Sequence, residues 1–434
     1  MGLAVLLAAS VASCSGGMPS LSSIKNPFKK KQEILPGERV AVITDPDTET
    51  VDKGAAARPI ALPAPVANAS WTEPGGNATN GLGHLALGDR LTKVWRASAG
   101  TGSSSSGRLS AIPLVADGKV YTLDAGGSVT AFSASGGERV WRTSLTPKNE
   151  RSREGFGGGL ALDSGRLYVT TGFGTVVGLD PAKGSVLWTQ KVGDPVRSSP
   201  TAAGGKVYFI SADSVLHCLD GNDGQELWTA KGVPESATLL SNVSPAVGQG
   251  VVIAAFPSGD VTAFGLGNGQ PTWKESLSRT SETSAEGVLA DPASPVIDHG
   301  VVFVVGHGGK MIAVSETAGD RLWSNNVTST QMPWPAGDTV YVVDVNGKLM
   351  ALTRAEGKVR WLTELPRSSR WNGPVLAGGK LWLVSAEGSL VGVDARSGQL
   401  SSTTALGEKV FVSPVVAGGR MYILADNATL IALN

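Results

Sequence analysis

The sequence predicts an all-β chain folded as an eight-bladed β-propeller of four-stranded antiparallel blades, closed by an N-terminal strand that joins the last blade. Three observations carry this. Glycine makes up 57 of the 434 residues, about twice its ordinary share near 7%. A unit of strands and tight turns ending in Trp recurs along the chain. An orphan copy of that unit's last strand precedes the first full unit, and the last unit lacks it. Internal repetition overrides the several-domain expectation that length alone would set.

From the start of the chain, Leu3 to Ala12 is an apolar run followed by Ser13-Cys14. About ten residues are too few to cross a bilayer as a helix, but they suit the apolar core of an export signal over residues 1–13. No Lys or Arg precedes the run, which departs from that pattern. Val11-Ala12-Ser13-Cys14 resembles a bacterial lipobox, so Cys14 is the expected lipidation site and mature N-terminus. Residues 14–90 read as a lipidated tether and linker. Lys29-Lys30-Lys31 falls short of the four or more basic residues of a headgroup-binding cluster, and Ala55 to Ala69 is rich in Ala and Pro, which favours extended chain. Cys218 is then left without a partner and reads as a buried thiol within a strand.

The propeller is expected over residues 91–434. Leu91 to Trp95 matches a closing strand. Full units run from Pro113 to Trp141, from Gly159 to Trp188, and then from Pro200, Pro245, Pro295 and Pro333 to Trp228, Trp273, Trp323 and Trp361. The seventh starts at Pro374 and has Ser402 in place of Trp. The eighth starts at Pro414 and ends at Asn434 before any Trp, so Trp95 is expected to complete it. The 344 residues from Leu91 to Asn434 divide into eight units of 43, within the roughly 40–45 of a four-stranded blade. Val120 to Leu123 and Val129 to Phe132 carry strand-forming residues, and Gly126-Gly127 between them suits a hairpin. The Trp residues are expected between neighbouring blades, because a lone blade cannot bury that face.

Signals for chemistry are weak. Lys plus Arg and Asp plus Glu are 37 each, and the absence of a basic stripe argues against a nucleic-acid partner. The four His, at 84, 217, 299 and 307, show no metal-binding spacing. Gly155 to Gly159 and Gly172 to Gly174 do not lead from a strand into a helix, as a dinucleotide loop would. Asp180, Asp220 and Asp394 recur one step before the outer turn, where Asp caps its own backbone. No nucleophile motif appears. No enzyme activity, cofactor or metal is expected.

The repeat G-x-[VL]-Y-V-x4-G-x-[VL]-x-A-L-[DN]-x3-G-x3-W resembles the pyrroloquinoline-quinone-type propeller repeat. Two classes share it: quinoprotein dehydrogenases, and the BamB family of lipoproteins of the outer-membrane β-barrel assembly machinery. With the lipobox and eight units, the chain is similar to the BamB family over nearly its whole length. Leu35 to Arg39, Trp71 to Asn77, Gly155 to Gly159, Pro333 to Asp338 and Trp371 to Pro374 look like its alphaproteobacterial branch. The quinoprotein class implies a Ca²⁺ site and commonly a vicinal Cys pair, and the sequence has no Cys-Cys. The BamB resemblance implies a scaffold at the periplasmic face of the outer membrane. Its partners would be BamA, other assembly components and, as a further class, unfolded outer-membrane proteins. A periplasmic sensor or adhesion propeller is the other alternative.

The same resemblance puts the BamA-docking residues in the loop entering the fourth blade, here Ser236 to Val243. Leu239 matches one family Leu. Ala237 stands where the other Leu would be, and Leu240 where an Arg would be. Leu239 and Leu240 are therefore the first candidates. Arg151 and Arg153, in a charged loop before the second blade, and Arg197, before the third, form a second candidate rim if these loops share a face.

Overall fold

The computed structural model describes residues 50–105, 107–151, 155–234, 242–277 and 291–434. Among them stand eight four-stranded antiparallel sheets. In chain order the first seven occupy 114–144, 158–191, 201–231, 246–276, 296–325, 334–364 and 371–405, and the eighth combines Val415–Ala417, Arg420–Leu424 and Thr429–Leu433 with strand β1, Lys93–Ser98. Each blade is a meander of strands a to d, and neighbouring a strands touch around the centre.

The ring closes as the orphan strand requires. Trp95 pairs with Ala432, and Ser98 with Thr429. Beyond the strand end, Thr92 and Asn434 exchange two backbone hydrogen bonds of 2.8 and 2.9 Å. The seam is therefore an ordinary c–d ladder lacking only its covalent turn.

The Trp residues have a common setting. Each lies on strand d opposite a small residue on strand c: Trp141 opposite Ala131, Trp188 opposite Gly178, Trp228 opposite Cys218, Trp273 opposite Ala263. The gap lets the indole meet an aromatic ring on strand b. In six blades, Tyr422, Tyr121, Tyr168, Tyr208, Phe303 and Tyr341 lie 5.9 to 6.0 Å from the indole. A bulge in every c–d pair, just before the Trp, adds the local twist that bulges impose.

Each indole also reaches the next blade. Trp95 donates to the Ala134 carbonyl at 3.2 Å, Trp141 to Pro181 at 3.0 Å, Trp188 to Gly221 at 3.0 Å, and Trp273 to Glu316 at 2.8 Å. It lies against a glycine of that blade's c–d turn. At Gly184 (φ 72°) a Cβ would come within 2.4 Å of Trp141, so both the positive φ and the close approach require glycine. The expected Asp caps are present: Asp180, Asp220 and Asp394 each accept backbone N–H groups of the same turn. Cys218 is the expected buried free thiol, and burial pushes its pKa up to about 11.

The linker reading of residues 50–90 needs correction. These residues are mostly extended, but they are packed against the ring. Helix α1, Lys53–Ala56, is capped by Asp52 and lies on the outer strand of blade six, where the Asp52 N–H donates to the Val359 carbonyl. Residues 68 to 85 then meet the inner strands of all eight blades in ring order. Asn68 bonds Gly418 of blade eight, and Trp71 exchanges two bonds with Val115 of blade one. Thr72 accepts from Leu162, Glu73 from Ala202, Ala78 from Val247 and Thr79 from Ile297. Gly83 accepts from the Trp334 indole, and Leu85 bonds Leu376 and Gly378 of blade seven. The inner strands are sheet edges whose backbone groups need partners, and this strap supplies them. Trp71, 1% exposed, stacks on Trp334 with centroids 6.2 Å apart.

Candidate functional site

The strap runs past the a–b turns. The opposite face carries the b–c turns and the d–a loops between blades, and the described docking candidates, Arg151 and Arg197, fall on those loops. The loop before blade two brings Phe156, the loop before blade three brings Arg197, and the loop before blade four ends at Asn242. The Gly158 N–H donates to the Arg197 carbonyl at 3.1 Å. Asn242 donates to the carbonyls of Gly158, at 2.8 Å, and Ser110, at 3.1 Å. The Arg197 guanidinium lies 4.8 Å from the Phe156 ring centroid, a cation–π contact that holds the charge at the surface. Gly157 lies under this side chain: with φ 96°, its Cβ would come 3.1 Å from Arg197. Three consecutive d–a loops are thus stitched into one rim, as the shared-face condition requires.

Of the candidate residues, Arg197 and Arg151 are exposed on this face. Leu239, Leu240 and Arg153 lie outside the described residues, as do Ala237 and Cys14. The chain on either side of the Leu pair, Pro234 and Asn242, is described. The blade residues Trp95, Trp141, Trp188, Trp228, Trp273, Trp323 and Trp361 all sit at blade junctions. Trp361 differs from the others in that its indole N–H has no partner.

Sequence reasoning missed the centre of this face. A cavity of about 90 Å³ lies on the ring axis, with Trp71, Pro74 and Gly75 of the strap on one side and Ser110, Asn242, Gln331, Arg370, Asn372 and Phe411 among its other walls. Arg370 and Arg108 lie 4.2 and 4.4 Å from the Phe411 ring centroid. Burial and the Arg108 charge lower the Arg370 pKa to about 10. A signal for this site was present: Trp71 to Asn77, Pro333 to Asp338 and Trp371 to Pro374, which resemble family segments, all contribute to its lining. Among the described residues no cluster of His, Cys, Asp or Glu could hold a metal ion.

A sequence profile of the family described as "Outer membrane protein assembly factor BamB" matches residues 86–152, 125–363 and 364–434. The BamB of Yersinia pestis is 27% identical over 347 residues, covering 79% of this chain and 88% of that protein. Among solved structures, BamB from Moraxella catarrhalis superposes with a TM-score of 0.68 at 16% identity, covering 80% of this chain and all of that one. The quinohemoprotein alcohol dehydrogenase of Comamonas testosteroni gives 0.67 at 15% identity, covering 84% of this chain and 80% of that one. At such identities the structural likenesses show the fold alone.

Proposed function

The chain belongs to the outer membrane protein assembly factor BamB family, and from that membership we propose that the ring is a non-catalytic scaffold of the outer-membrane β-barrel assembly machinery, held at the periplasmic face by a lipid on Cys14. Its d–a loop face docks on BamA. The observation that carries this reading is the stitched rim, in which Gly158, Arg197 and Asn242 lock three loops into one surface. A preorganised rim loses little freedom on binding, so its contacts convert into affinity. Arg151 and Arg197 add charge at the edge, where it sets encounter rate and specificity. Leu239 and Leu240 supply the apolar anchor.

The test is co-purification. Leu239→Asp with Leu240→Asp should abolish recovery of BamA from solubilised membranes while the melting temperature of the ring stays unchanged. Full recovery of BamA with the double variant removes this loop from the interface. Cys14→Ala should move the protein from the membrane fraction to the soluble periplasm. Retention in the membrane contradicts lipidation at Cys14.

One observation favours a second docking mode. Val94, Val140, Leu187, Leu227 and Leu322, each just before a blade Trp, are 43 to 52% exposed on outer strands whose free edges could accept an added strand. The outer strand of blade six is the exception, being covered by α1. The quinoprotein alternative finds less support. Cofactor pockets are usually about 300–1,000 Å³, well above the axial cavity of about 90 Å³. An absorbance scan of the purified protein tests it, and a quinone band would overturn the non-catalytic reading.

A further inference from the structure

The axial cavity holds a charge arrangement that the scaffold reading does not use. Arg370 donates through Nε to Asn372 Oδ1 at 3.0 Å and stacks on Phe411, as does Arg108. No carboxylate among the described residues forms an ion pair with either guanidinium. Asp426 lies within electrostatic reach of Arg108 and Lys409, whose charges favour its ionised form, but burial outweighs them. Asp426 has its own carboxyl pushed upward by burial and its Oδ1 without a partner. Arg370 therefore keeps its terminal nitrogens unpaired beside the cavity. On the cavity wall, Asn242 Oδ1 is buried and also unpartnered, although both bonds of its Nδ2 are made. Partly buried charge without a counter-ion is costly, and stacking on Phe411 offsets only part of that cost. The site thus presents strong donors for an anion and one spare acceptor for an N–H.

The cavity is too small for a free cofactor. About 90 Å³, where a single water needs roughly 10–15 Å³, is enough for a carboxylate and the atoms next to it. We propose that this end of the channel binds a peptide carboxylate, with Arg370 and Arg108 as its donors and Asn242 Oδ1 accepting a backbone N–H of the same peptide, while the rest of the chain lies outside across the loop face. A terminal carboxylate and a Glu or Asp side chain offer the same chemistry. The site shares Asn242 with the end of the BamA-docking loop but uses neither Leu239 nor Leu240, so it stands whether or not that pair docks.

The test uses the full mature chain and fluorescein-labelled hexapeptides followed by anisotropy. One peptide has a free C-terminal carboxylate and no acidic side chain, a second is C-terminally amidated with one Glu, and a third is amidated with Gln in place of that Glu. At least one of the first two should bind about tenfold or more tightly than the third, as hydrogen bonds to charged groups imply, and which one does so identifies the carboxylate's source. Arg370→Gln should abolish that difference and Arg370→Lys should keep part of it. Arg108→Gln, at an exposed position, should weaken binding in a ring of unchanged melting temperature, so the proposal stays testable if Arg370→Gln misfolds. Equal binding of all three peptides, no binding of any, or full affinity in a folded Arg108→Gln or Arg370→Gln protein overturns the proposal.

Discussion

At Gly178, Ala131 and Cys218 the side chain opposite the blade Trp is small because the indole crosses that space to reach strand b. Blade seven has the arrangement reversed. Trp382 stands on strand b, Gly392 lies opposite on strand c, and Ser402 takes the Trp position on strand d. The sequence marks Ser402 as a break in the pattern, and the ring explains it. Every other d-strand Trp lies against a c–d turn of the next blade, and blade eight has no such turn because its c and d strands, Thr429–Leu433 and Lys93–Ser98, are not consecutive in the chain. Restoring the repeat should therefore not help. Ser402→Trp is expected to destabilise by about 1–3 kcal/mol as an overpacked side chain, measured by denaturant melts, and a gain in stability would contradict this account of the seam. Trp273→Ala should cost about 3–5 kcal/mol, the usual range for a large aromatic removed from a core. Glu73 is a further residue that composition could not flag. It is 1% exposed in the strap, with Oε2 unpartnered and its pKa raised well above 4.5, chiefly by burial. An acid whose folded pKa is raised stabilises the fold fully below its unfolded pKa, and that contribution fades as pH rises toward the folded value. Glu73→Gln should consequently raise the melting temperature at pH 7.5 relative to the parent and leave it nearly unchanged at pH 4. An equal effect at both pH values would show that Glu73 does not titrate in this way.

The blades were legible as elements because each contains its own signals: glycine at the turns, β-branched residues on the strands, Asp before the outer turn. The strap was not. Its Pro and Ala content describes a chain with no periodic apolar face, which composition reads as a linker. Its order comes from partners that sequence does not display, namely the inner-strand backbone groups from Val115 to Gly418 that it pairs with, and two apolar anchors, Trp71 and Leu85. Strap and closing strand should be separable. A chain beginning at Leu91 keeps β1 and should fold to a closed ring with a lower melting temperature. A chain beginning near Gly100 loses Trp95 and its ladder with Thr429–Leu433 and should open or aggregate. If the shorter chain melted like the full protein, the seam would have no part in closure.

For the whole molecule, the two faces of the ring divide the work. The strap occupies one face and ties all eight blades together, which leaves the d–a loop face as the surface where loops, exposed arginines and the axial cavity come together. The outer strands offer a third surface, regular around the circumference except at blade six. Residue patterns revealed the ring and the loop that resembles a docking site. They did not reveal that the loops before blades two, three and four form one rim, because Asn242 reaches Gly158 across 84 positions of sequence. Which surface BamA uses is settled most directly by photo-crosslinking in cells, with the probe placed singly at Arg151 and Arg197 on the loop face, at Asp117 and Ser135 on the strap face, and at Val140, Leu187 and Leu227 on the outer strands. The scaffold account predicts BamA adducts from Arg151 and Arg197 alone, and adducts from the outer strands with none from the loop face would contradict it.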